Sequence, residues 1–239
     1  TPHPPPAPPP PAAPVKVDAI ITSPPYNMNL RILNGKYISR CSNSNHKEEF
    51  STKYENYKDD LPMDEYFKFQ DEFISKALQV TDLMFYNTQM ITGNKIALFK
   101  LIGKYAEKIK EIIIWDKITG IPAMHNGTLN SQFEFIFIFQ NSKPFNRSFD
   151  FANFERGSLS NIWSIKRERN NLIKAGFPKE LIRTIIKNFV KEDKDCIILD
   201  PFMGSGTTGV VCKELNRNFI GIEIDKDTFE KAKERIQNA

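Results

Sequence analysis

Two stretches of this chain carry residue types that could do chemistry together. Thr22 to Asn27, TSPPYN, follows the apolar run Ala19, Ile20, Ile21; Asp200 to Gly209, DPFMGSGTTG, follows the apolar run Cys196 to Leu199. In the first, the Ser23 hydroxyl and the Pro24 carbonyl are acceptors in a turn stiffened by two prolines, neither of which has an N–H to compete for them. Such a pair can receive the two hydrogens of an amine, and Tyr26 beside it offers a face on which a planar base stacks. In the second, Gly204 and Gly206 allow a turn too sharp for other residues and a close approach of backbone to ligand. Glu223 ends the next apolar run, Phe219 to Ile222, at the place where doubly wound sheets hold ribose hydroxyls. Gly204, Gly206 and Gly209 also fit G-x-G-x-x-G, so a dinucleotide cofactor is one reading of this stretch alone.

The pair of motifs resembles the S-adenosylmethionine-dependent DNA amino-methyltransferases, the N4-cytosine/N6-adenine family. There a D/N/S-PP-Y/F loop carries the chemistry and an F-x-G-x-G loop, here Phe202 to Gly206, holds the cofactor. The prolyl motif precedes the glycine motif, which resembles the beta-type permutation of that family. The resemblance runs from about Val15 to the end of the chain. It implies a class I methyltransferase fold: Rossmann-like α/β, doubly wound, with a mostly parallel sheet that includes one antiparallel strand. It implies catalytic roles for Ser23, Pro24, Pro25 and Tyr26. It also implies that Asp200 meets the methionine ammonium, that Gly204 and Gly206 line the methionine passage, and that Glu223 takes the ribose. Phe202 and Thr207 belong to the same cofactor loop, and Phe177-Pro178, in AGFPKEL, match a further family stretch beside the cofactor. Trp115-Asp116-Lys117 and Asn161-Ile162-Trp163 look like family landmarks, their tryptophans read as structural. No metal is implied.

The chemistry sharpens the expectation. An exocyclic amine is a poor nucleophile because its lone pair is delocalised into the ring, so a site must hold both amino hydrogens and aim the lone pair at the methyl donor. The base must first leave the duplex. Serine at the first motif position favours the N4 amine of cytosine in double-stranded DNA over adenine N6, because in the resembling family the adenine enzymes usually carry aspartate there. The chain does not resemble the carbon-5 cytosine methyltransferases, a different family that requires a nucleophilic cysteine after a proline, since none of Cys41, Cys196 and Cys212 follows one. The resemblance also brings a cognate restriction endonuclease and a homodimer into view as partners. Two other readings compete: a nicotinamide dehydrogenase, whose sheet should continue after Glu223, and a non-catalytic DNA-binding module. RNA and protein-glutamine methyltransferases place their N-PP-Y loop after the glycine loop instead.

The elements that must position these motifs follow from composition and pattern. A chain of 239 residues with 40% apolar content can bury one sizeable core, and its net charge of +4 is compatible with nucleic acid without requiring it. An odd number of cysteines without C-x-x-C spacing argues against disulfides and zinc and for a cytoplasmic home. No apolar run is long enough to span a bilayer. Residues 1–14, nearly all proline and alanine, read as a disordered proline-rich tail, and 15–239 as the catalytic domain. In the resembling family a strand and helix precede the prolyl strand and wall the adenine; the tail leaves no room for them, so an open adenine side is expected. The order is then a strand over 15–21, a polar loop over 28–61 that is mobile and closes over the flipped base, and a helix capped by Asp64 running to about Gln79. A strand over 83–86, a helix over 94–108 and a strand over 111–115 come next. A long strand over 133–139 at the antiparallel end of the sheet follows. The segment 141–171 sets Lys143, Arg147, Arg156, Lys166, Arg167 and Arg169 among Phe145, Phe149, Phe151, Phe154 and Trp163, which suits a DNA-recognition insertion as well as a packed excursion. Pro178 opens a helix to about Val190, and Asp225 caps the last one.

Overall fold

The computed structural model describes residues 15–28, 31–33, 36–38, 51–52, 57, 59–121, 126–141, 146–168 and 176–239. The tail expected over 1–14 and most of the loop expected to close over the base lie outside them. In chain order the elements are β1 (Ala19–Thr22), β2 (Arg31–Leu33), β3 (Lys36–Ile38), β4 (Ser51–Thr52), α1 (Met63–Val80), β5 (Leu83–Thr88), α2 (Lys95–Lys104) and β6 (Ile109–Ile121). Then come β7 (Ser131–Gln140), β8 (Ile162–Ser164), α3 (Lys179–Phe189), β9 (Ile197–Asp200), α4 (Thr207–Glu214), β10 (Asn218–Gly221) and α5 (Lys226–Gln237).

Seven strands form one sheet in the order β10-β9-β1-β5-β7-β6-β8. Only β7 runs against its neighbours β5 and β6; every other adjacent pair is parallel. This is the doubly wound, mostly parallel sheet with one antiparallel strand that the motifs imply. Strand β1 is buried along its whole length, as a parallel strand covered on both faces must be. Its alternation splits the core in two. Ile21 joins Phe85, Ile113, Ile138 and Ile198 against Leu181, Ile182, Ile185, Ile186 and Phe189 of α3. Ile20 joins Met84, Tyr86, Phe137 and Phe139 against Ile74 and Ala77 of α1 and Leu98 and Leu101 of α2.

Several expectations are corrected. The strand read over 133–139 is antiparallel but interior: β6 pairs along its far side, and β8, from within the irregular segment, adds a parallel edge beyond β6. Asp64 lies in the first turn of α1, whose cap position is Pro62 and makes no side-chain hydrogen bond. The helix read over 94–108 stops at Lys104, and a short 3-10 turn, Ala106–Lys108, leads into β6. The polar stretch after the prolyl motif is not all loop, since β2, β3 and β4 form a small antiparallel sheet in the order β3-β2-β4. Asp225 does cap α5, its Oδ1 accepting from the Thr228 N–H at 2.8 Å.

Three aromatics of the segment 141–171 face inward. Phe149, Phe154 and Trp163 sit 4.9, 5.4 and 6.3 Å from the Phe189 ring, which also meets Phe85 at 5.3 Å. These rings pack on the core, and among the described residues of the segment Arg147, Arg156, Lys166 and Arg167 are exposed, Arg147 paired with Glu111. Trp115 and Trp163, side by side in the β6/β8 register, are buried as structural residues.

Strand β10 and helix α5 pack so closely on α4 that a Cβ at Gly209 would stand 2.6 Å from Phe219 Cε1 and 2.5 Å from Ile236 Cδ1. Gly209→Ala should therefore cost about 1–3 kcal/mol, read as a lowered denaturation midpoint. Gly103→Ala, where a Cβ meets nothing within 4 Å near the end of α2, should stabilise by about 0.5–1 kcal/mol through the unfolded chain.

Candidate active site

Strands β1 and β9 are adjacent and parallel, with Ala19 beside Ile198 and Ile20 beside Leu199. Their carboxyl ends therefore release the prolyl loop and the glycine loop at the same edge of the sheet, 178 residues apart in sequence. A buried hydrogen bond ties the two together: Thr22 Oγ1 donates to Asp200 Oδ1 at 2.8 Å. Asp200 Oδ2 accepts from Thr208 Oγ1 at 2.7 Å, and Oδ1 also accepts from the Phe202 N–H at 3.2 Å. Burial without a cationic neighbour, aggravated by the nearby Glu223 carboxylate, pushes the Asp200 carboxyl up to about 6, against the pull of the two threonine hydroxyls and the Phe202 amide.

The glycine loop is shaped from below. Gly204 and Gly206 have φ of 51° and 72°, the left-handed region. At Gly206 a Cβ would meet Ile236 and Ala232 at 3.0 and 3.1 Å, so packing against α5 already demands glycine there. Arg235 of α5 reaches into the loop, donating to the Ser205 carbonyl at 2.9 Å and to Thr207 Oγ1 at 3.0 Å. Glu223 accepts from the Gly204 N–H through Oε2 and from the Asp225 N–H through Oε1, both at 3.0 Å. Each oxygen keeps a further lone pair, which matches two adjacent hydroxyls. Phe202 packs edge-on against Phe73 and Phe69 of α1, at 5.1 and 6.1 Å. Phe177 packs on the α3 side of the core, and Pro178 occupies the cap position of α3.

The prolyl loop is pinned by side chains that sequence reasoning passed over. The Pro25 carbonyl accepts from Tyr66 Oη at 2.9 Å and from Gln70 Nε2 at 3.2 Å, both buried residues of α1. Gln70 is itself held by Tyr86 Oη at 2.9 Å. Asn94 Nδ2 donates to the Tyr26 carbonyl at 3.0 Å, and Asn27, at φ 61°, donates to the Leu61 and Gly93 carbonyls. Asparagine tolerates that left-handed conformation better than most residues. A sequence signal existed: Asn87 lies near the end of the apolar strand β5 and Asn94 shortly after it.

Tyr26 does not point away from the loop. Its hydroxyl lies 2.8 Å from Ser23 Oγ, 2.5 Å from Asn87 Oδ1 and 3.0 Å from Glu134 Oε2, while Asn87 Nδ2 donates to the Phe135 carbonyl. Ser23 Oγ also reaches Asn87 Oδ1 at 3.2 Å. A serine has one proton, and both of these partners lie inside the network. Spending the proton there leaves the half-buried Ser23 Oγ presenting lone pairs outward. That is the polarity needed to accept a hydrogen from an amine. The arrangement thus joins a hydroxyl able to accept, a stiff prolyl turn and a glycine bend with acids at Asp200 and Glu223.

A family model described as DNA methylase matches residues 17–234. The type II methyltransferase M.HpaI of Haemophilus parainfluenzae is 27% identical over 240 residues, covering 93% of this chain and 68% of that protein. M.XycI of Xanthomonas campestris pv. cyanopsidis is 31% identical over 139 residues, covering 54% of this chain and 44% of its own, so the match spans less than half of that relative. Two solved structures share the fold. The complex of M1.HpyAVI with SAM has a TM-score of 0.60 at 24% identity, covering 93% of this chain and 89% of that one. The cytosine-N4-specific PvuII DNA methyltransferase has a TM-score of 0.64 at 15% identity, covering 92% and 79%.

Asp200 makes folding stability pH-dependent in a direction opposite to most carboxylates. Its folded pKa lies above its unfolded one, so its stabilising contribution is complete below about pH 4 and is lost as pH rises through about 6. The loss is on the order of 3 kcal/mol. Asp200→Asn should remove it, measured as the difference between wild-type and variant denaturation free energies across pH 4 to 7, where the other carboxylates cancel.

Proposed function

Because the chain belongs to the N6/N4 DNA methylase family, whose model spans residues 17–234, we propose that it transfers a methyl group from S-adenosylmethionine to the exocyclic N4 amine of cytosine in double-stranded DNA. The observation that carries this reading is the Thr22–Asp200 hydrogen bond, which sets the prolyl and glycine loops side by side. The residues fit the cofactor. Asp200 is a buried carboxylate surrounded by hydroxyls, an amide and a second acid, and an ammonium would supply the missing positive charge. Glu223 keeps two acceptor positions for the ribose diol, and Gly204, Gly206, Thr207 and Phe202 line the passage between them. Phe177 and Pro178, at the start of α3, are assigned to the cofactor by the family resemblance. When bound, S-adenosylmethionine supplies the sulfonium methyl.

The rest falls to this chain's own groups. Ser23 Oγ and the Pro24 carbonyl hold the two amino hydrogens, drawing the nitrogen toward tetrahedral geometry. Pro25 is locked by Tyr66 and Gln70, so that geometry is set before the base arrives, which is where alignment contributes most. The Tyr26 ring flanks the flipped base, whose extrusion costs a few kcal/mol. Exposed Arg156, Lys166 and Arg167 of the 141–171 segment face phosphates. The type II names of the relatives support a place in restriction-modification beside a cognate endonuclease.

Mass spectrometry of DNA from cells expressing this chain should detect N4-methylcytosine, lost in Ser23→Ala. N6-methyladenine without N4-methylcytosine would reassign the amine, and no heat of binding on titration with S-adenosylmethionine would leave only a DNA-binding module. Because Asp200 must be ionised to meet an ammonium, affinity for S-adenosylmethionine should rise about tenfold per pH unit up to about pH 6 and then level off. Asp200→Asn should flatten that profile.

A further inference from the structure

A two-stranded ribbon stands beside the candidate site and takes no part in the reaction described above. Strand β7 pairs with β5 only as far as Phe135, opposite Thr88, and β8 accompanies β6 only as far as Asp116. Tyr86 of β5 lies beside Thr22 in the register of β1 and β5. The parts of β6 and β7 that run past those points therefore leave the sheet at the edge that releases the prolyl loop. Among the described residues, 117–121 and 126–133 have no flanking strand on either side.

The root of this ribbon is braced on three sides. Lys117, 1% exposed, sets its Nζ 3.2 Å from Glu134 Oε1, and Glu134 Oε2 lies 3.0 Å from the Tyr26 hydroxyl. Asp116 Oδ1 accepts from Gln132 Nε2 at 2.9 Å and from the Ile118 N–H at 2.8 Å, while Oδ2 accepts from Ser164 Oγ of β8 at 3.1 Å. Gln89, just past the end of β5, donates to Ser131 Oγ. The direction of the ribbon is thus fixed relative to Tyr26.

Beyond the root its surface differs from the rest of the chain. From Lys117 to Phe133 the sequence holds no Asp or Glu, although the chain carries 29 of them in 239 residues. Leu129 is 92% exposed, Ile118 50% and Phe133 44%, with Asn126 and Thr128 exposed among them. A surface without carboxylates is not repelled by phosphates, and apolar and amide side chains match the methyl groups and hydrogen-bonding edges that bases show in the major groove. A two-stranded β-ribbon also fits that groove in width. Leu129 lies five residues from Glu134, a reach of up to about 16 Å at about 3.3 Å per residue, more than the groove's depth of about 8.5 Å.

We propose that this ribbon enters the major groove of double-stranded DNA beside the extruded base, with Leu129 against base edges. This deepens the methyltransferase reading above and rests on its DNA substrate. The exposed cations of 141–171 contact phosphates, and the ribbon adds contacts that do not depend on salt.

Duplexes selected from a random-sequence pool by repeated binding to the wild-type chain serve as the probe. Replacing Leu129 by photoreactive p-benzoylphenylalanine should give a covalent adduct with them on irradiation. The same replacement at exposed Lys194, which precedes β9 at the opposite edge of the sheet, should give none. Leu129→Ser, at a side chain that packs on little of the protein, should weaken binding about tenfold and leave the slope of log affinity against log salt unchanged. Arg156→Ala should instead reduce that slope by about one. Selected duplexes that form no adduct at position 129, or as much at 194, overturn the inference alone, as does an unweakened Leu129→Ser. Failure to select any duplex overturns the DNA reading and the inference with it. An adduct at 129 in a chain that methylates nothing upholds the ribbon and removes only the reaction.

Discussion

The site depends on one buried hydrogen bond, that from Thr22 to Asp200. Its two ends belong to adjacent parallel strands, and the parallel register is what makes both strands terminate at the same edge. Were the strands antiparallel, the prolyl loop and the glycine loop would leave the sheet at opposite edges. The bond has a cost as well. It helps fill the lone pairs of a carboxylate buried beside a second acid, and together with Thr208 and the Phe202 amide it offsets only part of the desolvation. A carboxyl left in that state is poorly satisfied by the protein alone.

The second constraint is that both loops are held from outside the motifs. Helix α1 grips the Pro25 carbonyl through Tyr66 and Gln70 and receives Phe202 on Phe69 and Phe73, so a single helix face buttresses the prolyl and glycine loops together. Helix α5 does the same from the other side, with Arg235 on Ser205 and Thr207 and with Ala232 and Ile236 beneath Gly206. The glycines serve packing as much as ligand approach. A loop fixed on two sides can present lone pairs and amides without reorganising when a substrate arrives, which is where pre-organised polar sites gain their effect.

The third is the division of the aromatics. The segment 141–171 mixes rings and cations in a pattern that suits nucleic acid, yet Phe149, Phe154 and Trp163 gather on Phe189, while Arg156, Lys166 and Arg167 remain exposed. The rings anchor the segment to α3, and the cations are what it can offer a phosphate. Basic and aromatic residues near one another in sequence need not share a surface, because an irregular backbone turns neighbouring side chains to different sides.

Sequence by itself determined the two motifs, the elements that precede them and the mostly parallel sheet, because apolar strand, glycine or proline turn and apolar-faced helix are local patterns set by backbone stereochemistry. That Ser23 and Asp200 stand at the ends of apolar strands was legible for that reason, as was the Asp225 cap. The tertiary structure alone decided that β7 is interior, that Thr22 meets Asp200, and that Asn87, Glu134 and Lys117 stand behind Tyr26. Those residues lie on strands whose order in the sheet is not their order in the chain. Their pairing follows from long-range register, which no local periodicity encodes.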